Sequence, residues 1–349
     1  MSSPLLSTDG AKGDLVADHY GNPLVESQEF STGESWVDCS DWGVVRVSGP
    51  DRLLWLDSLS SQSLSHLEPG VTTESLILDP QGHIEHRFLI TDDGASSWLL
   101  TEPGSSQALI EWLVKMRFGM QVEASDVSAE YAVLASTRPP VDTSGPVWVD
   151  PWPNIGDGSV GYGPEPHPGE GSAVTFWMVP RESLTLDIAQ SWAGSWALKA
   201  HLIATGRPML ADVDAKSLPH EWDWLRTAVH LNKGCYRGQE TVAKIHNLGH
   251  PPRRSVLFHL DGSTGLLPES GAAVRAGGTV LGYVSRSARH YEWGPIGIGL
   301  VKRSIAVEDV TVEVGEDVTI ARMETLTSPT AGGTRREALR RPVVAVHGN

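Results

Sequence analysis

Cysteine is nearly missing from this chain: Cys39 and Cys235 are the only two in 349 residues. Two thiols cannot build the disulfide framework of a small secreted domain. They also fall short of the four ligands that an iron–sulfur cluster usually takes, so no cluster held by one chain alone is expected. A reducing setting is the default for such a sequence. Long apolar runs are missing too. No stretch approaches the ~18 residues of a membrane-crossing helix. The opening MSSPLLSTDGAKGD lacks a basic segment followed by an apolar one, so no secretory leader is expected. The expectation is a soluble, cytoplasmic protein without a membrane partner. Positive charge is in deficit, with 27 Lys and Arg against 43 Asp and Glu and a formal net charge of -16. Such a surface repels phosphate backbones, which argues against stable nucleic-acid binding. Phe is scarce, five against thirteen Trp. An indole has a flat apolar face and one N–H donor, which suits ring-shaped ligands and cores alike.

What is present is a globular composition, 40% hydrophobic and 20% charged, long enough for two or three domains. Residues 1–34 are polar and read as an arm. A first α/β unit is expected over 35–127. In it WVDCSDWGVVRVSGPD alternates like a strand, RLLWLDSLSS reads as a helix, and TESLILDPQGHIEHRFLIT as a hairpin turning at Pro80-Gln81-Gly82. SSWLLTE adds a strand and GSSQALIEWLVKMRFG a helix ended by Gly119. A second α/β unit, free to interleave with the first, is expected over 128–250. It has strands at EYAVLAS and VTFWMVP, a Pro/Gly-rich loop at 139–172, and a helix over SLTLDIAQSWAGSWALKAHLIATG. That helix is read from the four-residue spacing of Ile188, Trp192, Trp196 and Ala200. From 251 to 326, six short strands between Gly, Asp and Pro turns predict an antiparallel barrel. Residues 327–349 read as a tail, with arginines at 335, 336, 340 and 341.

The chemistry concentrates in KGCYRGQET, residues 233–241. Cys235 stands between Lys233 and Arg237, with Gly234 and Gly238 letting the backbone turn tightly on either side. A helix starting near Gln239 would point its positive end toward the sulfur, and Glu240 would suit its first turn. Cations and a helix start both favour thiolate, the nucleophilic and metal-binding form. Against this, a lone cysteine also serves as a small buried hydrophobe. A Cys–His pair with His230 or His246 is a further possibility. Asp212, Asp214 and Glu221 could bind a cation, or act as caps and solvated loop charges. No zinc-type Cys/His spacing occurs, and GPIGIG lacks the strand–turn–helix context of a dinucleotide loop.

KGCYRGQETVA resembles the signature of the YgfZ family, folate-binding proteins implicated in iron–sulfur cluster assembly or repair. These are similar in fold to the T-protein of glycine cleavage, a folate-dependent aminomethyltransferase. Weaker echoes run over about 36–325: SGPDRLLWLDSLSSQSLSHLEPG, ATGRPMLADVDAKSLPHE with its Pro219-x-Glu221, and GGTVLGYVSRSARHYEWGPIGIGLVKR. The resemblance implies an α+β fold: a three-domain ring with a C-terminal antiparallel β-barrel and a central hole for tetrahydrofolate. It implies that Cys235, with Lys233, does the chemistry near that hole. Tyr236, Arg237, Gly238, Gln239, Glu240 and Glu221 would border the folate, and Trp42 would stack on it. Trp196 is a second aromatic candidate, with core packing as its alternative. The implied partners are folate and iron–sulfur client or assembly proteins. Two departures stand out. Gly82-His83-Ile84-Glu85-His86 has no aspartate where the transferase handles the reacting nitrogen, and Ala204 replaces a folate-binding glutamate. Both favour the accessory protein over its rival, a one-carbon transferase with Glu85 as base. A third reading is a binding module with a structural Cys235.

Overall fold

The computed structural model describes residues 2–140, 145–184, 191–263, 265–305 and 309–334. A first sheet is built from β2 (Gly43–Ser48), β3 (Thr72–Leu78), β4 (Ile84–Asp92), β5 (Ser96–Thr101) and β6 (Glu123–Asp126). Its order is β3-β4-β5-β2-β6, antiparallel throughout. Helices α2 (Arg52–Leu59) and α3 (Ser106–Lys115) cover one face. The alternation of β2 explains the packing. Val45 and Val47 join Trp55, Leu56, Leu109 and Leu113 under the helices, while Val44 points the other way into a second core. Burying a Val or Leu side chain contributes roughly 1.5–3 kcal/mol, so a one-residue register slip would be costly.

The second sheet takes its first strand from before the first sheet. Strand β1 (Ser35–Asp38) lies between β7 (Tyr131–Ser136) and β10 (Ser191–Ala193), and β9 (Thr175–Pro180) and β8 (Val147–Val149) complete the order β10-β1-β7-β9-β8. Residues 35–38, expected in the first unit, therefore belong to the second, and 39–42 are the crossing between sheets. The expected arm is likewise packed. Helix α1 (Pro23–Ser31) starts at Asn22 with Pro23 in its first turn and buries Phe30 completely. Buried Glu26 accepts hydrogen bonds from the N–H groups of Tyr20 (2.9 Å), Asn22 (3.0 Å) and Gly194 (2.9 Å). One aromatic and one satisfied carboxylate anchor a segment whose composition is polar.

The long helix expected over 183–206 is shorter. Residues 191–193 pair as a parallel strand with β1, and α4 (Ser195–Ala204) starts after Gly194. A Cβ on Gly194 would lie 2.1 Å from the Asp18 carbonyl oxygen, so the chain must bend there without a side chain. Ile188 lies outside the described residues. Trp196 is 46% exposed at the start of α4 and does not pack in the core.

The barrel forms as expected. Strands β11 (Arg253–Leu260), β12 (Ala273–Ala276), β13 (Thr279–His290), β14 (Gly294–Lys302), β15 (Asp309–Val314) and β16 (Asp317–Thr325) close in the order β11-β14-β13-β12-β15-β16. Closure leaves no free edge. Val256, Phe258 and Val312 fill its interior. Leu257, Ile298 and Leu300 face outward onto Trp222, Trp224 and Leu225 of the second unit. Helix α5 (Gln239–Leu248) precedes the barrel. Residues 327–334 are docked, with Thr327 and Ala331 buried, whereas the four tail arginines lie outside the described residues. Among the described residues no helix is long and apolar enough to cross a membrane.

Candidate functional site

The crossing at 39–42 is held by its own backbone N–H groups. Ser40 N–H donates to Asp38 Oδ1 at 2.9 Å, Cys39 N–H to the Val133 carbonyl at 2.8 Å, and Trp42 N–H to the Cys39 carbonyl at 2.9 Å. This turn presents Asp38, Cys39, Asp41 and Trp42 to a cavity of about 420 Å³. The opposite walls are Leu198, Lys199 and Leu202 of α4, the segment Met209–Ala211, Glu102 at the end of β5, and Arg286 of the barrel. All three units thus contribute. The volume falls within the roughly 300–1,000 Å³ of small-molecule sites. Trp42 is buried against Phe176, with ring centroids 4.9 Å apart.

The cavity is polar at two ends. Asp38 is buried, and its Oδ2 has no hydrogen-bond partner among the described residues. Burial, reinforced by the Asp38 charge and partly offset by a backbone hydrogen bond, raises the Asp41 carboxyl to about 6. Opposite stands Lys199, whose amine takes part in no hydrogen bond or ion pair among the described residues. Burial and then the Arg286 charge lower its pKa. Cys39 is buried, and burial raises its thiol well above the ordinary value, which leaves it a small apolar wall group.

Behind these walls runs a buried charge network. Glu74 pairs with Arg87 at 2.7 Å and Arg207 at 2.8 Å, Arg207 with Asp150 at 2.9 Å, and Arg87 with Glu102 at 2.8 Å. Arg286 spans Asp212 at 2.7 and 2.8 Å and donates to the Arg207 carbonyl at 2.8 Å. Burial alone would raise Glu74, but Arg207, Arg87 and the Thr227 hydroxyl hold it down at about 2. Such a network spends much of its Coulombic gain on desolvation, and positions the walls more than it adds stability. Sequence reading missed Asp38, Asp41, Lys199 and Arg286. The visible signals were two acids, Asp38 and Asp41, on either side of Cys39 just before Trp42, and an arginine, Arg286, between two serines of β13.

The 233–241 loop lies elsewhere. Cys235 is exposed and lines neither this cavity nor the larger one beside it. Helix α5 begins at Gln239, with Glu240 in its first turn. Lys233 turns toward the end of α2, where its ammonium donates to the carbonyls of Asp57 (2.6 Å), Ser60 (2.9 Å) and Gln62 (2.7 Å) and pairs with Asp57 Oδ1 at 3.3 Å. Arg237 pairs with Glu85 at 2.6 Å. Both cations flanking the cysteine in sequence therefore have partners of their own. Tyr236 is buried under the loop, and Gln239 donates to the Lys233 carbonyl at 3.3 Å. Gly238 has φ +82°, and a Cβ there would come within 2.6 Å of the Asp79 carbonyl oxygen. The loop is thus pressed onto the Pro80-Gln81-Gly82 turn. Glu221 is fully buried and bridged by Arg253 at 2.8 and 2.9 Å, tying the second unit to the barrel away from either cavity. Trp196 lines the larger cavity.

A family model described as the GCVT N-terminal domain matches residues 24–139. A putative chloroplastic transferase of Arabidopsis thaliana is 26% identical, over 90% of this chain and 76% of that protein. An iron–sulfur cluster assembly factor IBA57 homolog, mitochondrial, of Mycosarcoma maydis is 28% identical, over 70% of this chain and 62% of that protein. Among solved structures, the glycine cleavage system aminomethyltransferase T of Bartonella henselae superposes with a TM-score of 0.72 at 17% identity, covering 92% of this chain and 95% of that one. The fold is therefore that of the aminomethyltransferases. The chain is thus similar to GcvT-like proteins, an IBA57 homolog among them, and its 233–241 loop resembles the YgfZ signature.

Proposed function

We propose that this protein is a folate-binding accessory factor of iron–sulfur cluster assembly or repair, with the cluster as cargo rather than a resident group. The observation that carries the reading is a cavity of about 420 Å³ whose lining brings an indole, Trp42, together with two carboxyl side chains, Asp38 and Asp41. A reduced pterin has a flat ring to stack and an aminopyrimidine edge of N–H donors. The residues present fit both needs: Trp42 for the ring, Asp38 and Asp41 for the donors, with Leu198, Leu202 and Met209 excluding water. When bound, tetrahydrofolate supplies a carrier for one-carbon units. Asp38 ends β1 and Asp41 lies on the β1–β2 crossing, away from the helix bearing Ala204, and the two offer the acceptors that Ala204 lacks.

Cys235 is then a separate station on the surface, where a protein partner can reach it. Its loop is braced by Lys233 and by the Arg237–Glu85 pair. Calorimetric titration of tetrahydrofolate tests the reading. Trp42→Ala and Asp38→Asn should each weaken binding tenfold or more, and unchanged affinity in both would overturn it. Glu85→Gln should leave binding intact and abolish no reaction. Loss of folate-dependent one-carbon turnover in that variant, with binding retained, would favour the transferase.

A further inference from the structure

Lys199 is a nucleophile that the folate reading leaves unused. It lines both the cavity beside Trp42 and a second one, of about 640 Å³, between the start of α1, α4 and β13. Its amine takes part in no hydrogen bond or ion pair among the described residues. The carboxylates nearby are engaged elsewhere. Asp212 is taken up by Arg286 at 2.7 and 2.8 Å, Asp18 accepts from the Ser195 hydroxyl at 3.2 Å, and Glu102 pairs with Arg87. Arg286, on the strand packed against α4, lines the same cavity as the amine. Burial and then the Arg286 charge lower the Lys199 pKa, with Asp18 and Asp212 opposing. A half-buried ammonium without a partner is costly, and the group lowers that cost by giving up its proton. The neutral amine is the nucleophilic form, and desolvation beside a second cation is one way to reach it. The mounting is firm. Helix α4 has no side-chain cap of its own. Its entry is held instead by the arm: the N–H groups of Gly194, Ser195 and Trp196 donate to Glu26 (2.9 Å), the Ala17 carbonyl (2.8 Å) and the Asp18 carbonyl (3.2 Å). Lys199 follows one turn later. Arg286 is fixed by Asp212 and still has one nitrogen, Nη1, buried without a hydrogen-bond partner among the described residues.

We propose that Lys199 traps carbonyl compounds: its amine forms an imine with a small 2-oxo carboxylate, whose carboxylate is held by Arg286. The amine lone pair bonds the carbonyl carbon, and the carbonyl π pair becomes a hydroxyl that takes one N–H proton. Loss of this hydroxyl with the second N–H proton releases water and leaves C=N. Amine and carbonyl thus give imine and water, and nothing is oxidised or reduced. Asp41, in the same cavity, is the acid available to protonate the departing hydroxyl and to take back the last N–H proton. The guanidinium supplies selectivity, because it pairs with a carboxylate through a charge-assisted hydrogen bond and a plain aldehyde has none to offer. The assignment uses the α4 and β13 walls and does not rest on what fills the Trp42 end.

The test treats the full-length protein with glyoxylate or with acetaldehyde in the presence of cyanoborohydride, which reduces an imine to a stable secondary amine. Peptide mass spectrometry gives the labelling rate at each lysine, and Lys115, exposed on α3, is the internal reference. With glyoxylate at neutral pH, Lys199 should react about tenfold faster than Lys115 or more, as a lowered pKa frees the amine. The ratio should be severalfold smaller with acetaldehyde, which lacks the carboxylate. Arg286→Gln should lower both ratios, and the glyoxylate ratio further, since that variant loses the carboxylate's partner as well as the neighbouring charge. Arg286 also braces Asp212, so the two aldehydes compared on wild type decide the matter even where this variant does not fold. A Lys199 rate no higher than that of Lys115, or equal ratios for the two aldehydes, overturns the proposal. So does an equal fall of both ratios in a folded Arg286→Gln. Tetrahydrofolate titration is a separate readout, so each of these results leaves the folate reading untouched.

Discussion

Asp41 titrates at about 6 in the folded chain because burial and the Asp38 charge disfavour its anion. The unfolded carboxyl ionises near 3.8, so between these values the folded state holds the extra proton, and this group's contribution to stability falls as pH rises. Asp41→Asn should therefore melt no lower than wild type at pH 7.5. A ligand recognised through N–H donors needs the anion. Its affinity should climb, by up to about tenfold per pH unit, as pH rises toward 6, and level off above. Titrations from pH 5 to 8 should show this slope in wild type and a weaker, flat profile in Asp41→Asn; a flat wild-type profile removes Asp41 from the site. Lys233 poses a different question. Three carbonyls and Asp57 depend on its ammonium, so Lys233→Met should cost about 2–3 kcal/mol in denaturant unfolding, as partners lose their donor. If that variant instead keeps its stability while alkylation of Cys235 slows, the lysine activates the sulfur rather than anchoring the loop. Neither role could be read from KGCYRGQET alone. Neighbours in sequence point their charged ends wherever a long side chain finds acceptors, and those acceptors lie at the end of α2 and just beyond it.

At the scale of elements, the loop over 233–241 works because glycines let two turns touch. Gly238 combines φ +82° with a 2.6 Å approach of any Cβ to the Asp79 carbonyl oxygen. Gly238→Ala meets strain and overlap together, and about 2 kcal/mol or more should be lost. Limited proteolysis should then cut within 233–241 before the rest of the chain opens, and wild-type resistance in this variant would contradict the packing. Most elements were legible: β2, the β3–β4 hairpin, α3, α5 and the barrel strands carry strong local periodicity or turn residues. The helix expected over 183–206 was not, because a tryptophan every four residues fits a helical face equally well when one of the two belongs to a strand. Trp192 lies in β10, pairing with Trp36 of β1, and only Trp196 is helical. That pairing joins residues more than 150 positions apart, and no local pattern records it.

For the whole molecule, the buried network joins the units around the cavity. Glu74→Gln leaves Arg87 and Arg207 underpaired in the interior, and about 3–5 kcal/mol should be lost, with folate affinity falling as the walls loosen. A variant as stable as wild type would mean that the network does not hold the units together. Acid sensitivity has another source. Burial lowers His167 and His201 to about 4 and His220 to about 3. The unfolded chain takes up these protons below about 6.5 and the folded chain does not, so stability falls as pH falls through that window. The slope is up to about 1.4 kcal/mol per pH unit for each histidine. Glu74, held at about 2, contributes stability that is lost only as pH falls below its unfolded value of 4.5. A Tm that drops between pH 7 and 5 therefore assigns the effect to histidine, and a flat Tm refutes it.

The amino-acid order by itself determined the α+β class, the barrel and the glycine-flanked cysteine loop, since these rest on period, turn chemistry and a contiguous motif. Tertiary structure alone decided that β1 joins the second sheet, that Lys233 anchors the loop to α2, and that Asp38, Asp41, Lys199 and Arg286 meet around one cavity. The reason is physical. A side chain's local conformation answers to residues a few positions away. Its charge partners and cavity neighbours are chosen by packing between units, where Asp38 and Arg286 come together although most of the chain separates them.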